Sequence, residues 1–122
     1  MRVLHAFLPL LRRSADPRVV NVSSGMGSFA VTSDPERLES GLVSLVYPSS
    51  KAALNMITSQ VAKALPEMRV NAVDPGYTAT DLNGHTGHQT VAEGAEVIVA
   101  LATAAPGGPT GGFFDRTGPL AW

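Results

Sequence analysis

The 122-residue sequence predicts an α/β fold built on a parallel sheet. Two observations carry that expectation. Helical and strand-like patterns alternate along the chain as helix, strand, helix, strand, helix, strand, the order that parallel sheets with right-handed crossovers produce. The clearest strand segments, Arg18-Val19-Val20-Asn21-Val22 and Met68-Arg69-Val70-Asn71-Ala72-Val73, are short and rich in β-branched residues, as expected of strands buried within such a sheet. Three strands make a small sheet, so an edge requires cover from other polypeptide.

The first helix is read from Val3, Phe7, Leu10 and Leu11, with Leu4 and Leu8 beside them, at helical spacing. Pro9 falls inside that pattern and is expected to kink or loosen it. Ser14-Ala15-Asp16-Pro17 turns the chain into the first strand, expected to be buried on both faces. Ser23 to Val46 has no sustained period and carries Gly25, Gly27, Pro35 and Gly41, which predicts a long loop with a short helical turn near Pro35–Glu39. Long loops inside small domains are commonly functional. From about Tyr47 to Leu65, the positions Ala53, Leu54, Ile57, Val61 and Leu65 define a helix that Pro66 stops. The second strand ends at Asp74-Pro75-Gly76, and a polar loop follows. Thr90 and Glu93 form a capping box for a helix lined by Val91, Ala95, Ile98, Val99 and Ala102. Ala105 to Pro109 breaks it, and Gly112-Phe113-Phe114-Asp115 is the last expected strand before a short tail ending at Trp122.

Composition narrows the function classes. Hydrophobic residues make up 44% and charged residues 16%, as in ordinary globular domains. A net charge of −1 gives no basic field for nucleic acid or anionic lipid, and no segment reaches membrane-spanning length. The absence of cysteine excludes disulfides and thiolate metal sites. The apolar opening superficially resembles a signal peptide, but His5 and Pro9 interrupt it. Arg12-Arg13 stand where small cleavage-site residues belong, so a cytoplasmic location is expected.

The chemistry centres on Tyr47 and Lys51, four residues apart and therefore on one helix face. A cation about 4 Å from a phenolate favours it by on the order of 4 kcal/mol at an effective dielectric near 20, which brings phenol proton exchange toward neutral pH. With Asn21-Val22-Ser23-Ser24 at one strand end and Arg69-Val70-Asn71-Ala72-Val73-Asp74-Pro75-Gly76 at another, the sequence resembles the short-chain dehydrogenase/reductase family, and within it a carbonyl-reductase-like member. The resemblance covers essentially the whole chain but only the C-terminal half of the family's domain. It implies the C-terminal part of a Rossmann-type doubly wound parallel sheet, with about three parallel strands and flanking helices, lacking the N-terminal glycine-rich βαβ half. It also implies an NAD(P)-dependent oxidoreductase interconverting a carbonyl and a secondary alcohol.

Carried over by position, Tyr47 is the general acid/base, Lys51 supports its phenolate and binds the nicotinamide ribose, and Ser24, with Ser23 as the alternative, binds the substrate oxygen. Pro75, Gly76, Thr78 and Thr80 join Tyr47 and Lys51 in contacting the cofactor, NADP or NAD. The family's Thr-Gly-x-x-x-Gly-x-Gly fingerprint does not occur in these residues, nor does its Asn-Ala-Gly motif, its catalytic asparagine or the residue that selects NAD over NADP. The gap between Ser24 and Tyr47 is longer than usual. Val31 to Leu45 is therefore expected to extend the rim of the substrate pocket, with Tyr77 to Gln89 as the substrate loop opposite. Met26, Phe29, Tyr77 and Leu82 are candidates for its apolar wall, and equally for ordinary packing.

Each assignment has a plainer competitor. Tyr47 and Lys51 fit half-buried packing and a solvated lysine, Ser23-Ser24 fits loop bonding, and Thr80-Asp81 fits a short helix cap. His85 and His88 lack an evident partner set for a metal, so none is expected. The alternative to an enzyme is a truncated, non-catalytic remnant acting as a dimerisation or interaction module. The family's main dimer interface corresponds to helices 1–13 and 47–65, which implies a homo-oligomer. The partner expected at the site is a small-molecule carbonyl or alcohol.

Overall fold

The computed structural model describes residues 2–122. Among them a four-stranded sheet runs in the order β1 (Arg18–Val22), β2 (Arg69–Val73), β3 (Phe113–Asp115) and β4 (Gly118–Leu120). β1 pairs in parallel with β2 from Arg18 opposite Arg69 to Val22 opposite Val73, and β2 pairs in parallel with β3. The three expected parallel strands are present. The fourth, read from sequence as tail, folds back antiparallel on β3. Asp115 makes that turn: its Oδ1 accepts from the Thr117 and Gly118 amides at 2.7 and 3.1 Å, and Gly118 takes φ 137°.

The helices are α1 (Arg2–Leu11), α2 (Phe29–Ser33), α3 (Val46–Ala64) and α4 (Val91–Ala102). α1 continues through Pro9 to Leu11, with the Arg12 amide on the Leu8 carbonyl at 3.0 Å. α1 and α3 share one core: Val61, Ala62, Met68 and Val70 are buried, with Leu4, Leu8, Leu11, Val19 and Ile57 packed against them. Successive strand residues point to opposite faces. Phe113 stacks on Trp122, which stands beside α3, whereas Phe114 shares a cleft with Val97 and Leu101 of α4. α3 and α4 therefore flank the sheet on opposite sides.

Three details differ from expectation. β1 is only partly buried, and Val22 is 43% exposed, because this strand is the sheet's outer edge. β2, paired on both sides, holds the buried interior that was expected of both strands. The inward face of α4 is Gly94 and Val97, while Val91 and Val99 lie exposed. Gly94 allows that approach, since a Cβ there would stand 2.5 Å from Thr78 Oγ1. Finally, the long loop after β1 contains α2, started by Ser28, whose Oγ accepts from the Val31 amide at 3.0 Å. The helical turn placed at Pro35–Glu39 lies slightly later, as a 3₁₀ turn over Leu38–Gly41.

A compact chain of this mass exposes roughly 6,200 Å². This one exposes 7526 Å². Exposed apolar side chains include Val3, Phe7 and Leu10 of α1, each more than half exposed, and Val22 at the open edge of β1, besides Phe29, Val43, Leu45, Val46 and Leu82.

Candidate functional site at the carboxyl ends of β1 and β2

Tyr47 occupies the first turn of α3, ahead of Pro48. A proline is tolerated there because first-turn amides have no helical acceptor. The Ser49 and Ser50 hydroxyls bond back to the Leu45 and Tyr47 carbonyls at 2.6 and 2.7 Å. One turn on, Lys51 Nζ donates to the Val22 carbonyl at 3.0 Å, tying α3 to the carboxyl end of β1. The same ammonium lies 5.5 Å from the centroid of the Tyr47 ring, within cation–π range. Tyr47 itself is 49% exposed.

The two serines left open by the sequence have different surroundings. Ser23 is buried, and its Oγ donates to Asn55 Oδ1 at 2.5 Å. Ser24 is half-buried, and its Oγ accepts from the Met26 amide at 3.2 Å, capping the turn Gly25–Gly27. Its hydroxyl proton is not used by that bond. Ser24 thus combines backbone capping with a remaining donor, while Ser23 is committed to the interior.

Asn55 was not singled out from sequence, and it braces this loop. Its Nδ2 donates to the Gly27 carbonyl at 3.1 Å while its Oδ1 receives Ser23. The available signal was an amide one turn beyond Lys51, on the inward face of the helix. Gly27 completes the fit. A Cβ there would lie 2.6 Å from the Lys51 carbonyl carbon and 2.8 Å from the Ala52 nitrogen, so no larger residue permits this approach.

On the other side, Asp74-Pro75-Gly76 leaves β2, and Gly76 adopts φ 74°. Asp74 Oδ1 accepts from the Gly76 amide at 3.0 Å. Burial pushes the Asp74 carboxyl above its ordinary value, against the lowering effect of the Gly76 and Gly25 amides and with the help of nearby Glu39 and Asp115. Gln89, also missed from sequence, fastens the loop base by donating to the Pro75 carbonyl and to Thr78 Oγ1. The Thr80 amide donates to Asn83 Oδ1 at 3.1 Å, so Thr80 starts a 3₁₀ turn, as the plainer reading of Thr80-Asp81 anticipated. His85 does have an acidic neighbour, contrary to expectation: its Nε2 lies 2.9 Å from Asp81. His88 packs against the Tyr77 ring. No group of three or more potential metal-binding side chains forms among the described residues.

Two cavities open near the carboxyl ends of the strands. One of about 310 Å³ is walled by Met26, Phe29, Thr32, Leu42, Val43 and Pro48, so the long segment before Tyr47 contributes to its rim. The other, about 430 Å³, lies between Glu36–Glu39 and Asp74–Tyr77. Met26 and Phe29 thus line a cavity and Tyr77 lines the second, but Leu82 is 97% exposed and lines neither. Tyr47 and Lys51 border neither cavity, because Pro48, Ser49 and Ala52 present the adjoining face of α3.

Fold and site together define the carboxyl-terminal part of a Rossmann-like open α/β sheet, with its polar side chains gathered at the strand ends where such sheets bind ligands. A family profile described as short chain dehydrogenase matches residues 1–91, and the chain belongs to that family. It is 39% identical to (-)-isopiperitenone reductase of Mentha piperita, over 98% of this chain and 49% of that protein. It is 34% identical to salutaridine reductase of Papaver bracteatum, over 93% and 47%. NADPH-bound carbonyl reductase from chicken fatty liver superposes with a TM-score of 0.80 at 28% identity, over 98% of this chain and 51% of that one. The chain spans about half the length of the curated relatives it matches. No helix among the described residues is long and apolar enough to cross a membrane.

Proposed function

We propose that this chain carries the proton-transfer part of an NAD(P)-dependent oxidoreductase that interconverts a small-molecule carbonyl and a secondary alcohol. The observation that carries this reading is the tethering of Lys51 to the Val22 carbonyl beneath the Tyr47 ring, with the Ser24 hydroxyl at the end of the same strand. In reduction, Ser24 donates to the carbonyl oxygen and orients it, and Tyr47 gives that oxygen its proton. In oxidation Tyr47 removes the proton. The Lys51 ammonium favours the phenolate that remains, by charge and by proximity. One of its three protons is occupied by Val22, which leaves donors for a ribose hydroxyl.

The residues present fit the nicotinamide-ribose end of NADP or NAD. The Pro75-Gly76 turn is open, Gly76 is exposed, and Thr78 and Thr80 follow it beside the strand end. When bound, the cofactor supplies or accepts hydride at the carbon that Tyr47 serves at oxygen. A glycine-rich cradle for the pyrophosphate is not among these 122 residues, so turnover requires it from other polypeptide.

The test, run on the chain together with polypeptide that supplies the pyrophosphate cradle, is consumption of NADPH and NADH in the presence of cyclic and acyclic ketones, with Tyr47→Phe as the control. Ketone-dependent consumption that Tyr47→Phe abolishes supports the reading. Turnover that survives the substitution rejects Tyr47 as the acid/base.

A second reading is favoured by the excess exposed surface: an interaction module that pairs through α1, α3 and the open edge of β1, including as a homo-oligomer. It predicts a dimer or larger assembly in sedimentation, and a strictly monomeric chain contradicts it.

A further inference from the structure

After β2 the chain turns through Pro75-Gly76-Tyr77-Thr78, and Gln89 comes back to meet that turn. The Gln89 amide nitrogen donates to the Pro75 carbonyl and, at 2.9 Å, to Thr78 Oγ1. A primary amide nitrogen carries two protons, so both are spent on the two ends of one turn. The backbone repeats the link. The Ala79 amide donates to the Gln89 carbonyl at 2.8 Å, and the His88 amide to the Tyr77 carbonyl at 3.1 Å. Two glycines make room for the Gln89 head group. A Cβ on Gly76 would stand 2.9 Å from its Nε2 and 3.1 Å from its Oε1, and a Cβ on Gly94 would stand 3.3 Å from its Nε2. The amide is therefore held between the Gly76 backbone and the first turn of α4.

This packing sorts what Thr78 can offer a ligand. Its hydroxyl accepts from Gln89 and lies against α4, where a Cβ on Gly94 would approach Oγ1 to 2.5 Å. Its carbonyl accepts from Asn83 Nδ2 at 2.8 Å. Its N–H has no acceptor among the described residues, although the residue is half-buried. Such a donor is left for water or a ligand. The peptide that carries it is kept from turning by the Gln89 bonds at both ends of the turn.

We propose that Gln89 is a positioning residue: its amide closes the Pro75–Thr78 turn and thereby holds the Thr78 N–H ready for the carboxamide oxygen of a bound nicotinamide. The proposal rests on the reductase reading and adds to it a side chain that acts through the turn rather than by touching substrate or cofactor. Leucine is close in size to glutamine and donates nothing, so Gln89→Leu opens the clasp. Thr78→Val keeps the shape of residue 78 and removes one of the two acceptors.

The isotopically labelled parent and both variants are compared by two measurements. The first is amide hydrogen exchange. In Gln89→Leu, exchange at Gly76 and Ala79 is expected to rise by about tenfold beyond any change at Asn71 and Ala72 of β2, because the opening is local. A general loss of stability would accelerate all four amides alike. The second is titration with reduced nicotinamide mononucleotide, followed at the Lys51 and Thr78 amides. Gln89→Leu is expected to bind about tenfold more weakly than the parent, with Thr78→Val between them. A clasp that served the fold alone would leave that affinity unchanged. Equal affinity in the parent and Gln89→Leu overturns the proposal, and so does exchange at Gly76 and Ala79 that rises no more than in β2. If the parent itself takes up no ligand, the reductase reading fails and the proposal falls with it.

Discussion

Replacing Asn55 with alanine tests what holds the Ser23–Gly27 loop against α3. The side chain is 4% exposed and makes two buried hydrogen bonds, from Ser23 Oγ and to the Gly27 carbonyl. Each such bond contributes about 0.5–1.5 kcal/mol net, and a buried partner left unpaired costs a further ~1–3 kcal/mol. Ser23 has a fallback acceptor in the Lys51 carbonyl at 3.4 Å, so the larger penalty falls on Gly27. Asn55→Ala is therefore expected to lower stability by roughly 2–4 kcal/mol. With a urea dependence of about 1–3 kcal/mol per molar for small proteins, the unfolding midpoint should fall by on the order of 1–2 M. Ser23→Ala, alone and combined with Asn55→Ala, closes a double-mutant cycle, and the two should couple because they share a bond. A loss below about 0.5 kcal/mol, or strict additivity, would refute the claim that Asn55 braces the loop.

Other substitutions probe the surrounding structure. Gly27→Ala places a Cβ against the α3 backbone and should cost about 1–3 kcal/mol by chemical denaturation, while an unchanged midpoint would mean the turn does not approach the helix as described. Because burial raises the Asp74 carboxyl in the folded chain, the fold binds this proton more tightly than the unfolded chain does. Stability from this group is therefore lost as pH rises from about its ordinary value of 3.8 through the raised one. Asp74→Asn, which keeps the acceptor for the Gly76 amide, should be more stable than the parent at neutral pH, with the advantage vanishing below that ordinary value; a less stable variant at neutral pH contradicts this. Thr90→Ala removes the cap whose Oγ accepts from the Glu93 amide at 3.2 Å, and should lower stability by ~1 kcal/mol in thermal or urea unfolding.

What the sequence made legible was whatever depends on local pattern. Pro66 and the apolar spacing defined α3 to within a residue of its observed end, and Thr90 with Glu93 marked the start of α4. The parallel pairing of the first three strands followed from the alternation of elements. What it did not reveal depends on contacts far apart in the chain. The partial exposure of β1 follows from its place at the sheet edge, which the apolar run Val19-Val20 does not encode. Val91 and Val99 fit an inward face by composition, yet Gly94 brings a different face of α4 inward.

The site divides in the same way. Tyr47 and Lys51 stood out as candidates by a local spacing, and Ser24 and Pro75-Gly76 joined them through the family resemblance. Asn55 and Gln89 were not visible, since what makes each matter is a bond to residues at least eleven positions away. Leu82 shows the converse: an apolar residue in a polar loop suggests a pocket wall, but with no neighbour to cover it the side chain stands in solvent.

The central claim is that these residues hold the nicotinamide-ribose end of the cofactor around Tyr47 and Lys51. Reduced nicotinamide mononucleotide carries that end without the adenosine half, so its binding needs no cradle for the second phosphate. Titrated into the isotopically labelled chain, it should shift the amides of Ser24, Lys51, Gly76 and Thr78 saturably, and Lys51→Met should abolish the effect. No shift at millimolar ligand, or a shift that Lys51→Met leaves intact, would contradict the account.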